Sequence, residues 1–376
     1  MVIAGEPSGD RLGAHMIEGL KTRLKGNVNF QGIGGPKMEK AGQFASLFPF
    51  QELSHMGLDI LPHLPQLWRY LRQTVQTVQR LQPDVLVTID SPEFSFRVAK
   101  RVAKAPGKTR LIHCVAPSVW AWRPKRAQKI ARFLDHLMVL FPFEPPYFEA
   151  VGLPCTFVGH PLLQEQKGNP ELFWKQTGWS PQDPLLCLLP GSRVGELKRL
   201  MPIFAETIGR LQKTVPNLQV VLPTFEKLLP TLRPLLAAFQ KPPLVLSDPK
   251  DHYPAMAAAT CALAASGTVT LELAYHETPM VVAYKLAPIA AHLAKRLICT
   301  PYVSLVNLIA QRPLVPECLQ EDCNPETLIH HLLPLLQHQG PQNAQCRGLE
   351  NVIQHLKAPL GFQDAIADTL EMYLKK

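Results

Sequence analysis

Asp90 ends the apolar run "DVLVTID" (84–90), and Glu93 follows three residues later, beyond Pro92. Apolar strands rarely end in a carboxylate without cause, and the carboxyl edge of a buried strand is where an α/β protein seats a general base. The same residues also suit a helix N-cap, with Asp90 or Ser91 satisfying the next turn, and the sequence leaves both readings open. A second loop, "AGEPSGDRLGAH" (4–15), follows a short strand that ends at Ala4. Gly5 and Gly9 permit a tight turn there, and Ser8 or Asp10 is placed to cap the next helix. Glu6 at the mouth of this loop repels phosphate, and G-x-G-x-x-G is absent. A polar loop for sugar hydroxyls therefore fits better than a dinucleotide cradle. A plain strand–helix connector is the alternative.

Two further turns lie in the second half. "LLPGSRVGELKRL" (188–200) reads as strand, Gly-Ser-Arg, helix, and a helix N-terminus carrying Arg193 suits a diphosphate. In "ALAASGTVTLELAYHETPMVV" (262–282), Ser266, Gly267 and Thr268 open a helix with Glu272 one turn in. That arrangement offers backbone N–H groups to phosphates and a carboxylate to ribose hydroxyls. Either loop alone is often a connector, but two in one half is less ordinary. "CVAPSVWAWRPKRAQKIARFLDH" (114–136) joins Trp120 and Trp122 to Arg123, Lys125, Arg126 and Lys129. It is a single loop and helix rather than an extended basic face, so nucleic acid is not expected, and anionic lipid or a sugar phosphate fits as well. With no D-x-D clamp and no Walker loop, no metal and no cofactor is expected. A departing diphosphate would leave its charge to helix dipoles and Arg193.

The elements that position these residues repeat one theme: a short apolar strand, a Gly- or Pro-marked loop, an amphipathic helix. Strands are predicted at 2–4, 84–90, 110–117, 136–143 and 155–160, then at 185–192, 218–224, 243–247, 259–266 and 279–284. This alternation predicts an α/β protein of parallel sheets covered on both faces, namely two doubly wound Rossmann-like domains facing a cleft, with ligands at strand carboxyl ends. The expected domains are 1–165 and 180–340, with a hinge in the Pro-, Gly- and Gln-rich stretch 159–184. The helical 341–376 stretch is placed to pack back on the first domain. Helix 64–82 carries Leu64, Leu67, Trp68, Leu71, Val75 and Val78 on one stripe. That stripe reads as core packing, or as an apolar lip with Arg69 and Arg72 at lipid headgroups. The stretch 284–310, with Lys285, Lys295 and Arg296, carries the same ambiguity.

A chain of 376 residues is long enough for two domains, and its 46% apolar content can fill two cores. The formal charge of +9 points to a polyanion, a membrane surface or phosphate-bearing ligands. The 8 cysteines form no C-x-x-C pair, and several sit in apolar runs, as buried reduced thiols of an intracellular protein do. No basic-then-apolar leader and no long apolar span occurs, so a cytoplasmic protein that touches a membrane peripherally is expected.

Taken in order, "AGEPSGDRLGA", "GIGGPKMEKAG" (32–42), "LSHMGL" (53–58), "PDVLVTIDSPEF", "PSVWAWRPKRAQKIA", "LFPFEPPYF", "FVGHPL", "LLPGSR", "SGTVTLE" and "PMVVAYK" resemble the lipid-A-disaccharide synthases, inverting glycosyltransferases of GT-B architecture. The resemblance runs from the first residues to about 320. It implies a UDP-activated 2,3-diacylglucosamine donor, a 2,3-diacylglucosamine 1-phosphate acceptor, and a β-1,6-linked disaccharide plus UDP as products. It also implies an anionic inner-membrane surface as a partner. Carried over by motif, Asp90 is the general base for the acceptor 6-hydroxyl and Ser8 a serine needed for activity. Arg193, Ser266, Gly267, Thr268, Glu272 and Asn307 fall on the nucleotide-sugar side; Glu6, Met56, Trp120, Trp122 and Arg123 fall on the acceptor and lipid side. The chain departs from the family pattern at Glu93-Phe94-Ser95, where Asp-Phe-Asn is usual, at Val306, where proline is usual, and in its very short first strand. The alternatives are another GT-B enzyme acting on a UDP-N-acetylglucosamine substrate, or a non-catalytic membrane-binding relative.

Overall fold

Runs such as Val85–Ile89 and Leu185–Leu189, buried at every residue, are what strands become when helices cover both faces of a parallel sheet. The computed structural model describes residues 1–25, 27–50, 53, 60–287, 290–292 and 297–374, apart from the side chains of 60–64. Met56, Leu64, Lys295 and Arg296 therefore lie outside what is described. The chain divides into two compact units, Met1–Pro161 with Leu356–Lys376, and Leu162–His355.

The first unit holds six parallel strands in the order β2-β1-β3-β4-β5-β6. These are β1 (Val2–Ala4), β2 (Gly32–Ile33), β3 (Val85–Ile89), β4 (Arg110–Cys114), β5 (His136–Val139) and β6 (Cys155–Phe157). One face packs on helices Pro7–Arg23 and Phe362–Leu374 through Met16, Ile17, Met138 and Ile366. The other packs on helices Ile60–Leu81 and Pro92–Val102 through Leu71, Val78, Phe94 and Val98. Of the stripe expected on the helix at 64–82, Leu67, Leu71, Val75 and Val78 are buried, whereas Trp68 is 55% exposed under the Arg101 guanidinium, 4.9 Å away.

The second unit holds β7 (Leu185–Leu189), β8 (Gln219–Pro223), β9 (Leu244–Leu246), β10 (Cys261–Ala265), β11 (Met280–Tyr284) and β12 (Glu317–Leu319). Their order is β12-β11-β10-β7-β8-β9, again all parallel. Its core joins helices Val194–Thr214 and Pro325–Gln337 to the sheet through Leu197, Phe204, Leu328 and Leu332. The terminal 341–376 stretch divides. Helix Gln339–His355 belongs to the second unit, where Gln345 bonds the backbone of Met280 in both directions. Helix Phe362–Leu374 belongs to the first, tied by Arg23 to Glu371 at 2.9 Å and to Asp368. All eight cysteines are free thiols, five of them buried.

Candidate active site

In a doubly wound sheet the ligand crevice opens at the carboxyl ends of the two strands from which the order runs outward both ways. In the first unit those strands are β1 and β3, paired Ile3 to Thr88 and Ala4 to Ile89. The loops that leave them carry Glu6 and Ser8 on one side and Asp90 and Ser91 on the other. The loops abut: a Cβ on Gly5 would stand 2.6 Å from the Ser91 hydroxyl oxygen.

Asp90 turns into the left-handed region at φ 50, with Ser91 at φ 44. Its backbone N–H still donates to Cys114, 3.0 Å away across β4. Its Oδ1 accepts from Ser91 N–H at 2.8 Å, and its carbonyl accepts the Ser95 hydroxyl at 2.7 Å. The cap position of helix Pro92–Val102 belongs to Ser91, so capping does not consume the Asp90 carboxylate. Burial pushes the pKa of Asp90 up, only partly offset by the Ser91 N–H. Glu6 is raised as well, by burial and then by the Asp90 charge, while the Ser91 hydroxyl at 3.5 Å pulls the other way. Positive φ recurs at Val115 (φ 78), one residue past β4, and at Arg123 (φ 56). Such conformations cost of order 1–3 kcal/mol each, most for a β-branched residue, and cluster where function fixes the backbone.

Ser8 is exposed in the first turn of helix Pro7–Arg23. The expected capping by Ser8 or Asp10 is not what the structure has: Glu6 holds the cap position without a side-chain bond. Asp10 instead accepts from the N–H groups of Gly35 and Met38 at 2.9 Å and of Lys37 at 3.2 Å, and so caps helix Pro36–Gly42. A carboxylate among unsatisfied helix N–H groups is strongly favoured.

After β4 the chain presents Trp120, Trp122 and Arg123. Trp122 and Arg123 are exposed, with the guanidinium 4.1 Å over the ring. Trp120 Nε1–H donates to Glu144 Oε1 at 3.2 Å, and Oε2 accepts from Leu140 N–H at 3.2 Å and Phe141 N–H at 3.0 Å. Burial raises Glu144 to about 8 against the pull of these three donors.

In the second unit the order reverses between β7 and β10, and the two Gly-Ser turns follow those strands. At the first, the expected backbone cradle is already filled. Glu196 Oε2 accepts from Ser192 N–H and Arg193 N–H at 3.2 Å each, and Oε1 accepts from the Arg193 guanidinium at 3.2 Å. The guanidinium itself, 76% exposed, is what remains for an external anion. At the second turn, Gly267 and Thr268 are exposed and a Cβ on Gly267 would meet nothing. Among the described residues their N–H groups meet no protein acceptor. Ser266 is committed elsewhere, donating to the Val303 carbonyl at 3.0 Å, and Glu272 is half-buried one turn in.

Asn307, expected on the nucleotide-sugar side, has its side chain engaged within the protein. It is 1% exposed; its Oδ1 accepts from Val315 N–H at 2.9 Å, and its Nδ2 donates to the Val315 carbonyl at 2.9 Å and to Glu317 Oε1 at 2.8 Å. Glu317 also accepts from Val303 N–H, Ser304 N–H and the Ser304 hydroxyl. Asn307 thus fastens the loop that Ser266 leans on. Sequence reasoning gave Asp10 to the wrong helix and missed the other carboxylates that brace these loops: Glu144, Glu196 and Glu317. Only Glu196, three residues past Arg193, sits at a spacing that signals its role.

A family model described as lipid-A-disaccharide synthetase matches residues 1–361. Lipid-A-disaccharide synthase of Rhodospirillum centenum is 46% identical over 358 residues, covering 94% of this chain and 89% of the relative. That of Pseudomonas syringae pv. tomato is 41% identical over 372 residues, covering 97% and 95%. Among solved structures, a putative UDP-N-acetylglucosamine 2-epimerase from Listeria monocytogenes superposes with TM-score 0.66 at 14% identity over 100% of this chain and 95% of that one. The calicheamicin glycosyltransferase CalG4 superposes with TM-score 0.57 at 15% identity, over 100% and 97%. At such identities these likenesses speak for the fold, the GT-B form of the doubly wound α/β class.

Proposed function

The chain belongs to the lipid-A-disaccharide synthase family, glycosyltransferases of lipid A biosynthesis, and from that premise we propose that it joins UDP-2,3-diacylglucosamine to 2,3-diacylglucosamine 1-phosphate by inverting displacement with Asp90 as the base. As the acceptor 6-oxygen attacks the anomeric carbon, Asp90 takes the hydroxyl proton. The bond from that carbon to the diphosphate breaks, and its electron pair leaves on UDP. The new linkage is β-1,6, and Asp90 ends protonated. The observation that carries this reading is the state of Asp90: in a left-handed turn at the crevice edge, its carboxylate held by the Ser91 N–H and its pKa raised by burial. A raised carboxylate holds a proton better than an exposed one, which suits a general base.

Unit by unit, the proposed division of labour is base and acceptor contacts on the first and nucleotide contacts on the second. Ser8 and Glu6 line the acceptor side. Arg193 and the N–H groups of Gly267 and Thr268 take the developing charge of the diphosphate. Association with an anionic membrane is supported by Trp68, Arg69, Arg72 and Arg101, which share one groove with no carboxylate among its lining residues. Among the described residues no helix is long and apolar enough to cross a membrane. The test is to incubate the purified protein with both acylated substrates and follow UDP release. Release that persists in EDTA and requires the acceptor is expected, and release without acceptor, or none at all, overturns the assignment. Flotation with anionic vesicles at low salt tests the surface separately, and a protein that stays at the bottom of the gradient contradicts it.

A further inference from the structure

Four aromatic rings form a continuous row at the carboxyl ends of β4, β5 and β6. Trp120 meets Phe143 edge-on at 5.2 Å between centroids, Phe143 stacks on Phe141 at 5.5 Å, and Phe141 stacks on His160 at 5.5 Å. Each of the four is half-buried, so the row keeps an accessible face. Its members come from three separate connections, and Glu144 binds two of them together by holding the Trp120 indole N–H and the Leu140 and Phe141 N–H groups on one buried carboxylate. A buried carboxyl group is a costly way to tie two loops; here it fixes Trp120 to the connection that carries Phe141 and Phe143. Burial lowers the pKa of His160 to about 4, so its imidazole is uncharged at ordinary pH and continues the row through the ring face stacked near Phe141.

The row lies on the same sheet edge as Asp90. The ladder runs Asp90 N–H to Cys114, Val115 N–H to Met138 and Val158 N–H to Val139, so β3, β4, β5 and β6 end side by side. Strands are about 4.8 Å apart, which puts the ends of β5 and β6 roughly 10–15 Å from that of β3. On the loop that supplies Trp120, Arg123 and Lys125 are exposed. Cations beside an aromatic row match an amphiphile with an anionic head and an apolar tail.

We propose that the row Trp120, Phe143, Phe141 and His160 is the wall against which a fatty-acyl chain of the acceptor lies, with Arg123 and Lys125 toward its phosphate. This rests on the acceptor assignment above and adds the site that reads the chain.

Two measurements test it. In the first, kcat/KM is taken for acceptors whose acyl chains are shortened stepwise at constant donor. Each methylene buried against the wall is worth up to about fourfold, so the wild-type value climbs with chain length. Phe143→Ala and Phe141→Ala flatten that climb and converge with wild type on the shortest chain. A loss that is equal at every length, as a sugar-face contact or a misfolded variant would give, overturns the proposal. In the second, an acceptor brominated along its chain quenches tryptophan fluorescence, and the quenched fraction disappears in Trp120→Phe, checked for unchanged unfolding temperature. Quenching that survives Trp120→Phe refutes the wall. Quenching without any transfer leaves the wall standing and removes the reaction instead, which separates the two readings.

Discussion

Asn307 offers the sharpest contrast between two roles. Cutting it to alanine removes three hydrogen bonds, two to Val315 and one to the Glu317 carboxylate. Neutral bonds of this kind contribute about 0.5–1.5 kcal/mol each and one to a charge about 1.5–3, and the buried Val315 groups are left without partners. A loss of at least about 3 kcal/mol follows. For a unit of this size each kcal/mol lowers Tm by roughly 2–4 °C, so the drop should be about 6–12 °C. The assay is thermal unfolding of Asn307→Ala beside its donor KM. Asn307→Asp should be no better, because it replaces the donating amide with an oxygen facing the Glu317 oxygen. If the unfolding temperature holds and the donor KM alone rises, Asn307 touches the ligand and the reasoning from its buried network fails.

Other outcomes follow from the same geometry. Gly5→Ala pushes a methyl to within 2.6 Å of the Ser91 oxygen; it should cut kcat about tenfold or more through the Asp90 turn, as misplacement of a reacting group does, while steady-state rates show the donor KM within twofold. Arg193→Ala removes an exposed cation and leaves the Glu196 bonds to backbone N–H in place. Titration with UDP should show binding weakened about tenfold with Tm little changed, since the guanidinium is exposed and the buried Glu196 keeps its two backbone N–H donors. Glu144 has its folded pKa raised to about 8, above the 4.5 of the unfolded chain. Its contribution to stability is therefore full below pH 4.5 and is lost as pH rises through 8. Urea midpoints between pH 5 and 9 should fall in wild type, with a slope of at most about 1.4 kcal/mol per pH unit from this group, and fall less in Glu144→Gln.

What the sequence made legible was the alternation of buried strands and the loops that follow β3, β7 and β10. Asp90, Arg193 and Ser266 could be placed just past β3, β7 and β10 because the apolar runs end there. Strand ends were read too long, at 117 against Cys114 and 143 against Val139, because apolar residues continue where the backbone has already left the ladder, as Val115 does at φ 78. Strands β2 and β12 left no periodicity to read: one is two residues long, the other carries Glu317 for the loop network. The bracing carboxylates were hidden for another reason. Asp10 reaches Met38, 28 residues away, and Glu144 reaches Trp120, 24 residues away, and no local pattern links such pairs. Trp68 sits at the margin of its helical stripe, where spacing alone cannot say whether a ring turns inward.

The central claim is that Asp90 takes the acceptor proton. It is tested most directly by single-turnover transfer with Asp90→Asn, which keeps the shape and one oxygen to accept the Ser91 N–H. Loss of a general base typically removes a factor of about 10²–10⁴, so the variant should bind both substrates within a few-fold of wild type and transfer at least a hundred times more slowly. In wild type the rate should fall on acidification at a pH above the ordinary carboxylate range, in the direction of the raised Asp90. Transfer by Asp90→Asn within a few-fold of wild type, with the same pH profile, would contradict the account.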